Sequence, residues 1–339
     1  MKSTLTSPDA AGMSPWPGLE PHGTRAFPVR GALEIFYFDS SRRGSPERPE
    51  IADQAPSGAG GPGRPGSPAE GSGKPALVLI HGLGDEADTW RHLFPLLSRD
   101  FRLVAPDLPG FGRSLPGDPA GFDSGIIAAA DLVLDTMDAA GLGEAILVGS
   151  SLGAVVAELV AFRAPGRVRG LVLLDGGLPS PRSLPAALVP LVLPFLGPAA
   201  YRSLRGKPEA AYESLRPFYR DLDALDAADR DFLARRVAAR VDSERQLRGF
   251  FGLLRSAAFA ALFGQGLFRR GLAALDKPVL VLWGSEDRFA DRRAAARIAR
   301  HAKRCSFSEI EGAGHLPQQE RPEALAAAIA SFAGACPRA

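Results

Sequence analysis

The chain has 339 residues, of which 45% are hydrophobic and 23% charged, and its formal net charge is +2. This composition is ordinary for a soluble globular protein, and the length is enough for one large α/β domain with an inserted subdomain. So small a net charge argues against a nucleic-acid-binding surface as the main function, and we expect no nucleic-acid partner.

The N-terminal segment, residues 1–27, is rich in Pro, Gly, Ser and Thr, which predicts a flexible arm. It has no apolar stretch typical of a secretory signal. The most apolar run elsewhere, residues 184–200, is interrupted by four prolines, whereas a membrane span needs about 20 largely uninterrupted apolar residues. We therefore predict a cytoplasmic protein with no membrane span.

The first part of the α/β domain is predicted at residues 28–176. An early strand or hairpin is indicated around Val29 to Phe38, and the Ser/Gly/Pro-rich stretch 41–75 predicts a disordered insertion. Beyond it, apolar runs typical of buried parallel strands alternate with helical segments; these runs are Ala76–Ile80, Phe101–Ala105, Ala145–Val148 and Arg169–Leu174. Such alternation predicts an α/β fold with a doubly wound, mostly parallel sheet.

The strand pattern is absent between residues 177 and 276, where short helical segments replace it. We predict that residues 177–276 form a helical cap inserted between two strands. The alternation resumes in the second part of the domain, residues 277–339, with strands at Pro278–Trp283 and Cys305–Ile310 and a last helix at Pro322–Phe332.

One pentapeptide after a predicted strand carries the main functional signal. The segment Gly149-Ser150-Ser151-Leu152-Gly153 has the G-x-S-x-G pattern of a nucleophile elbow, with Ser151 at the apex of a sharp strand-to-helix turn. The turn forces the serine into a strained conformation, so only small residues fit beside it. The N–H groups that begin the next helix favour an anion at the apex. We predict Ser151 as a nucleophile.

Three further motifs follow predicted strands in the same way. They are His81-Gly82-Leu83-Gly84, Gly284-Ser285-Glu286-Asp287 and Gly312-Ala313-Gly314-His315. With the pentapeptide they make four segments, each at the carboxyl end of a strand, where α/β sheets place their active sites. From about residue 29 to the C-terminus, outside the low-complexity insertion, the chain resembles an α/β-hydrolase-fold serine hydrolase with a helical cap, similar to esterases.

A serine hydroxyl is a poor nucleophile at neutral pH and needs an adjacent base. Of the five histidines, only His315 lies in a Gly-flanked loop after the last strand, and we predict it as the general base. The base needs a carboxylate that fixes its tautomer, and the chain order Ser-Asp-His of the family favours Asp287. Glu286, its neighbour, and Asp175, at a position from which some family members supply the acid, remain alternatives.

Two backbone N–H groups must stabilise the oxyanion of the tetrahedral intermediate. The resemblance assigns them to Leu152, directly after the nucleophile, and to Leu83, in the loop after the strand Ala76–Ile80. His81 is expected to brace that loop, although a substrate contact is the alternative. Asp107, in a Pro/Gly-rich turn, is expected to be structural.

No metal or organic cofactor is expected. Cys305 and Cys336 have no metal-ligand spacing and are too few for a disulfide framework, although a single disulfide between them remains open. The dehalogenases and epoxide hydrolases that the chain resembles use an aspartate at the apex, so the serine disfavours those activities. We predict acylation of Ser151, followed by hydrolysis of the acyl-enzyme by a water that His315 activates.

The cap is expected to cover the pocket and to select a small-molecule substrate. Trp90, Phe250 and Phe251 are candidate substrate contacts, and the apolar cap favours a hydrophobic acyl or aryl group. Packing of these side chains in the core is the alternative, and the cap arginines are expected to face solvent. The first hypothesis is a hydrolase of small or medium apolar carboxylic esters. A hydrolase of C–C bonds in ring-fission products, a lactonase and a non-catalytic ligand receptor of the same fold remain open.

Overall fold

The protein is seen here in a computed structural model. It describes five stretches of the chain, residues 14–26, 33–42, 73–116, 123–181 and 189–337. Nearly all of the predicted insertion at 41–75 therefore lies outside the described residues, as does the first half of the predicted N-terminal arm.

The described residues form one nine-stranded sheet. In chain order the strands are β1 (Gly23–Ala26), β2 (Leu33–Asp39), β3 (Ala76–Ile80), β4 (Arg102–Pro106), β5 (Leu115–Pro116), β6 (Ala145–Ser150), β7 (Val168–Leu174), β8 (Val279–Gly284) and β9 (Cys305–Ile310). Their spatial order is β1-β2-β4-β3-β6-β7-β8-β9, and β5 pairs with β2. Along this order, each pair of neighbouring strands from β4 to β9 is parallel. Strand β2 pairs antiparallel with β1, β4 and β5. The predicted doubly wound, mostly parallel sheet is confirmed.

Helices connect the strands of this sheet. In chain order the described helices are α1 (Leu93–Leu97), α2 (Ile126–Ala139), α3 (Leu152–Arg163), α4 (Val189–Val192), α5 (Leu196–Arg202), α6 (Pro208–Glu213), α7 (Ala227–Asp242), α8 (Glu244–Phe259), α9 (Gln265–Ala274), α10 (Arg293–Ala299), α11 (Pro317–Glu320) and α12 (Pro322–Ala335). A π-helical turn, Ala260–Gly264, joins α8 to α9. Helices α4 to α9 lie between β7 and β8 in the chain, and we call residues 189–274 the helical insertion.

Both faces of the central strands are covered. Val78 of β3 and Leu147 of β6 pack on one face, in a cluster that also contains side chains of α2, α3, α8 and α9. Leu79 and Val148, the next residues along the same strands, pack on the other face with side chains of α1 and α12. Successive side chains of a strand point to opposite faces, so a sheet buried on both sides requires the unbroken apolar runs seen in the sequence.

The prediction of a flexible arm over residues 1–27 is wrong for residues 14–26. Strand β1 pairs with β2 at the edge of the sheet, and Leu19, just before it, is buried. The Trp16 ring lies edge-on to the Phe232 ring of α7, with centroids 5.1 Å apart. The segment has few apolar residues, but each of these finds a partner that is distant in sequence, which composition does not reveal.

One helical run, Glu244–Ala274, is long and apolar enough to cross a membrane by length and composition. Its inner face packs in the core, where Leu253, Ala257 and Phe268 lie in one cluster with α2 and α3. That packing is typical of a helix in a globular domain. The predicted absence of a membrane span stays a prediction, as does the predicted location.

Candidate active site

Ser151 lies at the turn between β6 and α3. Its φ of 54° and ψ of −117° are unusual for a residue with a side chain. A Cβ on Gly149 would lie 2.3 Å from the carbonyl oxygen of Gly153, and a Cβ on Gly153 would lie 2.3 Å from that of Ile80. The glycines of the G-x-S-x-G pattern are therefore required by close packing of backbone around the serine.

Three side chains from separate loops meet at this turn. His315 Nε2 lies 2.9 Å from Ser151 Oγ, and His315 Nδ1 lies 2.9 Å from Asp287 Oδ2. An ionised carboxylate only accepts hydrogen bonds, so Nδ1 carries the proton and Nε2 accepts the hydrogen bond of the serine hydroxyl. A general base must have this tautomer and this contact in order to remove the serine proton.

Backbone donors hold the Asp287 carboxylate in place. Its Oδ1 accepts the N–H groups of Phe289, at 2.8 Å, and Ala290, at 3.1 Å. Burial by itself raises the pKa of Asp287, but the hydrogen bond and charge of His315, together with these N–H groups, outweigh it and lower the pKa below its ordinary value. The carboxylate is therefore ionised near neutral pH.

The two other candidate carboxylates do not make this contact. Glu286 pairs with Arg220 of the helical insertion, with 2.9 Å between Nε and Oε1. Asp175 is buried, and burial, followed by the charge of Asp287, raises its pKa well above the ordinary value. Burial and the charge of Asp287 therefore favour the neutral form of Asp175, and Asp287 is the candidate that contacts His315.

The same residues include a geometric metal-ligand set. Asp175, Asp287 and His315 each offer one ligand atom, and these atoms lie within 4.8 Å of one another. Both nitrogens of His315 are already engaged, and burial favours the protonated form of Asp175, which is a poorer ligand than a carboxylate, so the group fits proton transfer better than metal binding. The expected absence of a cofactor stays a prediction. Cys305 and Cys336 are free thiols, so the disulfide that the sequence left open is not formed.

The loop after β3 lies directly against the nucleophile. A Cβ on Gly82 would stand 3.2 Å from the Cβ of Ser151. Leu83, next along this loop, and Leu152, at the start of α3, both line the cavity at the serine. Neither of their backbone N–H groups donates to an acceptor in the described part of the protein. Two such donors suit an oxyanion hole, and this role for Leu83 and Leu152 stays a prediction.

His81 and Asp107 hold this loop in place, as predicted. The N–H of Leu108 donates to His81 Nε2 at 2.9 Å, so the proton is on Nδ1, which donates to the carbonyl oxygen of Gly82 at 2.8 Å. Asp107 accepts the N–H of Ala87 at 2.7 Å. Both side chains are fully buried and lie outside the lining of the cavity.

A largely apolar cavity of about 420 Å³ opens at Ser151. Residues of the sheet loops form its floor, and the helical insertion contributes its other walls, with Leu191, Tyr201, Leu215, Val237, Phe250 and Leu254 among the lining residues. Pockets of this size and character bind small organic molecules. The position of the insertion agrees with a cap, although its predicted boundaries stay predictions.

The model of one protein family, described as "Alpha/beta hydrolase family", matches residues 77–328. The chain belongs to the alpha/beta hydrolase family. It is 28% identical over 272 residues to a 2-hydroxy-6-oxononadienedioate/2-hydroxy-6-oxononatrienedioate hydrolase of Burkholderia vietnamiensis, covering 77% of this chain and 88% of that protein. It is 29% identical to a pimeloyl-[acyl-carrier protein] methyl ester esterase of Edwardsiella ictaluri, covering 78% and 95%. These relatives confirm the prediction of a hydrolase.

Solved structures support the same fold. A putative lipase from Acinetobacter baumannii AYE superposes with a TM-score of 0.68 over 92% of this chain and 91% of that chain, at 21% sequence identity. At this identity the likeness concerns the alpha/beta hydrolase fold alone.

Two of the three predicted substrate contacts in this hydrolase are wrong. Trp90 is fully buried among the side chains of α1 and α12, on the sheet face opposite the helical insertion. Phe251 packs in a buried cluster with Leu247 and lies outside the cavity lining. Neighbours on an α-helix point about 100° apart, so the adjacent phenylalanines cannot share one direction. Phe250 is the one that lines the cavity.

The prediction that the arginines of the insertion face solvent is wrong for Arg236 and Arg240. Both are buried on α7. Arg236 donates to both carboxylate oxygens of Glu86, and Arg240 donates to the carbonyl oxygen of Gly84. Burial raises the pKa of Glu86, but the charges of the two arginines outweigh it and lower the pKa. Helix α7 is thereby tied to the loop that carries Leu83.

Three residues that the sequence did not indicate support the histidine. The carbonyl oxygen of Phe218 accepts the N–H of His315 at 2.9 Å, and the Phe289 ring centroid lies 4.8 Å from that of the imidazole. Glu320 accepts the N–H of Arg220 in the insertion and the N–H of the residue before His315, each at 2.8 Å. Of these three, Phe289 could have been found from the sequence, because it lies two residues after the motif that ends at Asp287.

Proposed function

We propose that the protein is a serine hydrolase that cleaves carboxylic esters of small or medium apolar substrates through an acyl-enzyme on Ser151. One observation carries this proposal. His315 lies within 2.9 Å of both Ser151 and Asp287, at the floor of a cavity of about 420 Å³ that is mostly apolar. A nucleophile with its base and orienting carboxylate, beneath a site for an apolar group, suits acyl transfer.

The proposed reaction has two steps. His315 Nε2 takes the proton of Ser151 as Oγ attacks the ester carbonyl carbon, and Asp287 stabilises the imidazolium that forms. The N–H groups of Leu83 and Leu152 donate to the oxyanion. The intermediate collapses, and the leaving alkoxide takes the proton from His315. A water then gives its proton to His315, attacks the acyl carbon and releases the acid, and Ser151 Oγ regains its proton.

The charges that line the cavity favour an apolar ester over a doubly charged substrate. Among the described residues that line the cavity, one is an arginine, Arg240, and none is a lysine. Arg240 donates to the carbonyl oxygen of Gly84 and lies 3.8 Å from the carboxylate of Asp85. Asp291 also lines the cavity. A substrate with two carboxylates would need cationic partners to offset the loss of water from each one.

A hydrolase of C–C bonds in ring-fission products is the second candidate. What favours it is the 28% identity to the Burkholderia vietnamiensis hydrolase, whose named substrates are dicarboxylates. The esterase relative, at 29% identity, is equally similar in sequence, and the cavity charges are the reason that we propose the ester hydrolase first.

A fluorophosphonate probe tests the nucleophile. We expect labelling of the wild type, no labelling of Ser151→Ala, and normal labelling of the matched control Ser150→Ala, which changes the neighbouring serine. Equal labelling of Ser151→Ala, or an unlabelled wild type, would overturn the proposal. Nitrophenyl esters from acetate to laurate, run beside a ring-fission dienoate, then rank the two candidates by kcat/KM. Faster turnover of the dienoate than of every ester would favour the second candidate.

A further inference from the structure

The helical run Glu244–Ala274 presents large apolar side chains to solvent. The exposed fractions are 65% for Phe259, 57% for Leu262, 72% for Phe263 and 50% for Leu267. The rings of Phe259 and Phe263 lie 5.0 Å apart. We call these four side chains the exposed apolar ridge. Single exposed apolar residues are normal, but a cluster of large ones indicates an interaction surface.

The ridge takes no part in the core or in the cavity. Ala260 and Ala261, between Phe259 and Leu262, are the buried side of the π-helical turn, and Ala261 lines the cavity. The ridge therefore lies on the outer side of a helix whose inner side forms part of the cavity wall. π-helical turns are frequent at functional sites, and folding of the protein does not account for four exposed apolar side chains here.

After its first residue, Glu244, the helical run that carries the ridge has charged side chains of one sign. Residues 245–275 contain five arginines and no aspartate or glutamate. Arg255, Arg269 and Arg270 are exposed on this run. Arg269 donates to the carbonyl oxygen of Gln265, and the guanidinium of Arg255 lies 5.5 Å from the ring centroid of Phe251, so neither contact neutralises its charge. Within the described residues, no acidic side chain forms an ion pair with Arg255, Arg269 or Arg270, so the surface combines apolar side chains with positive charge.

We propose that the exposed apolar ridge and its arginines bind the surface of a membrane that contains anionic phospholipid, with the helix lying in the plane of the interface. Arginines attract anionic headgroups, while phenylalanine and leucine enter the boundary between headgroups and acyl chains. A basic, amphipathic helix is typical of membrane-surface segments. The acidic residue of this run, Glu244, lies at its first position and pairs with Arg202 and Arg205. The helix does not cross the bilayer, because its inner face is held in the core by Leu253, Ala257 and Phe268.

Binding at this surface is independent of the reaction at Ser151, so it is tested in a chain that cannot turn over lipid. The full-length Ser151→Ala protein is sedimented with vesicles of phosphatidylglycerol and phosphatidylcholine, and with vesicles of phosphatidylcholine alone. We expect pelleting with the anionic vesicles, weaker pelleting with the neutral ones, and loss of binding as salt is raised. No pelleting with anionic vesicles would overturn the proposal.

Variants locate the binding surface. We expect two double variants each to lower the partition coefficient into anionic vesicles roughly tenfold or more. One is Phe259→Ser with Phe263→Ser, and the other is Arg269→Gln with Arg270→Gln. The matched control is Leu96→Ser, an exposed apolar side chain on α1, on the opposite face of the sheet, and it is expected to leave binding unchanged. Thermal melting verifies that each variant is folded.

A ridge variant that binds anionic vesicles as well as its parent, or a Leu96→Ser variant that loses binding to the same extent, would overturn the proposal. Light scattering tests whether a second copy of this chain binds the ridge instead. If the Ser151→Ala parent is a dimer that does not bind vesicles, and Phe259→Ser with Phe263→Ser makes it a monomer, the ridge is an interface between copies and the proposal is overturned.

Discussion

Two buried carboxylates of unequal charge lie beside the imidazole of His315. The pKa of Asp287 is lowered by its hydrogen bonds, whereas burial and the charge of Asp287 raise that of Asp175. Only an ionised partner stabilises the imidazolium that forms during proton transfer. Asp287 can therefore serve because its hydrogen bonds to His315 and to two backbone N–H groups outweigh the effect of burial, which dominates at Asp175.

Replacement of these two aspartates by asparagine is expected to have unequal effects. Asp287→Asn should lower kcat by about 10⁴-fold, because the amide no longer holds the tautomer of His315 that accepts the serine proton. Asp175→Asn should change kcat by less than about tenfold, because Asp175 makes no hydrogen bond to His315 in the described structure and burial already favours its neutral form. The measurement is turnover of a nitrophenyl ester, with Glu286→Gln as the control. Equal losses for Asp175→Asn and Asp287→Asn would contradict the assignment.

Gly153 gives a second prediction at this scale. Helix propensity alone would make Gly153→Ala stabilising by up to about 1 kcal/mol. The new Cβ would lie 2.3 Å from the carbonyl oxygen of Ile80, so we expect a loss of at least about 2 kcal/mol in the free energy of unfolding. Urea unfolding measures this loss. Gly166→Ala is the control, because a Cβ there has no atom within 4 Å, and a stabilised Gly153→Ala would refute the packing argument.

At the scale of elements, helix α7 is fastened to the loop of the candidate oxyanion hole. Arg236 and Glu86 form a buried ion pair with two hydrogen bonds, and Arg240 holds the carbonyl oxygen of Gly84. The helical insertion thus constrains the backbone that carries Leu83. Removal of one partner from such a pair leaves a buried charge without compensation, which costs more than the pair itself contributes.

Arg236→Met is therefore expected to lower the free energy of unfolding by about 3–5 kcal/mol. The double variant Arg236→Met with Glu86→Leu should recover part of that loss, because the carboxylate that Arg236 compensates is removed together with it. Arg216→Met is the control, since Arg216 forms its ion pairs at the surface and its replacement should leave the free energy of unfolding nearly unchanged. The measurement is urea unfolding, and a double variant as unstable as Arg236→Met would contradict the account.

At the scale of the whole molecule, stability is coupled to pH through a carboxyl outside the site. Glu158 of α3 is fully buried and accepts the N–H of Leu178 at 2.8 Å. Burial raises the pKa of Glu158 to about 8, and the hydrogen bond offsets only part of this effect. Because the folded state binds this proton more tightly than the unfolded state, the stabilisation is complete below the unfolded pKa and is lost as the pH rises through the folded pKa.

The wild type is therefore expected to lose stability between about pH 5 and pH 9, by at most about 5 kcal/mol from this one group. Glu158→Gln should remove that part of the pH dependence, because the amide does not titrate and keeps an acceptor for Leu178. Thermal melting across this range measures the effect, and the exposed Glu311→Gln is the control. A steep loss that persists in Glu158→Gln would show that another group is responsible.

Much of the fold could be predicted because its signals are local. The apolar run at β3 and the glycines at β6 are read from a few consecutive residues, and the parallel sheet followed from their alternation with helices. The order of strands, with β4 beside β2 and β3 beside β6, depends on pairing between distant segments. Composition also did not predict β1, because this strand depends on its pairing with β2 at the edge of the sheet.

The sequence by itself determined the fold class, the turn that exposes Ser151 and the candidate base His315, since each depends on a short motif with its own steric requirement. Only the tertiary structure separated Asp287 from Asp175 and Phe250 from its neighbour Phe251. Those choices depend on which atoms meet across the sheet and on which side of a helix is covered. Burial and contact are properties of the packed molecule, and neighbours in the sequence do not share them.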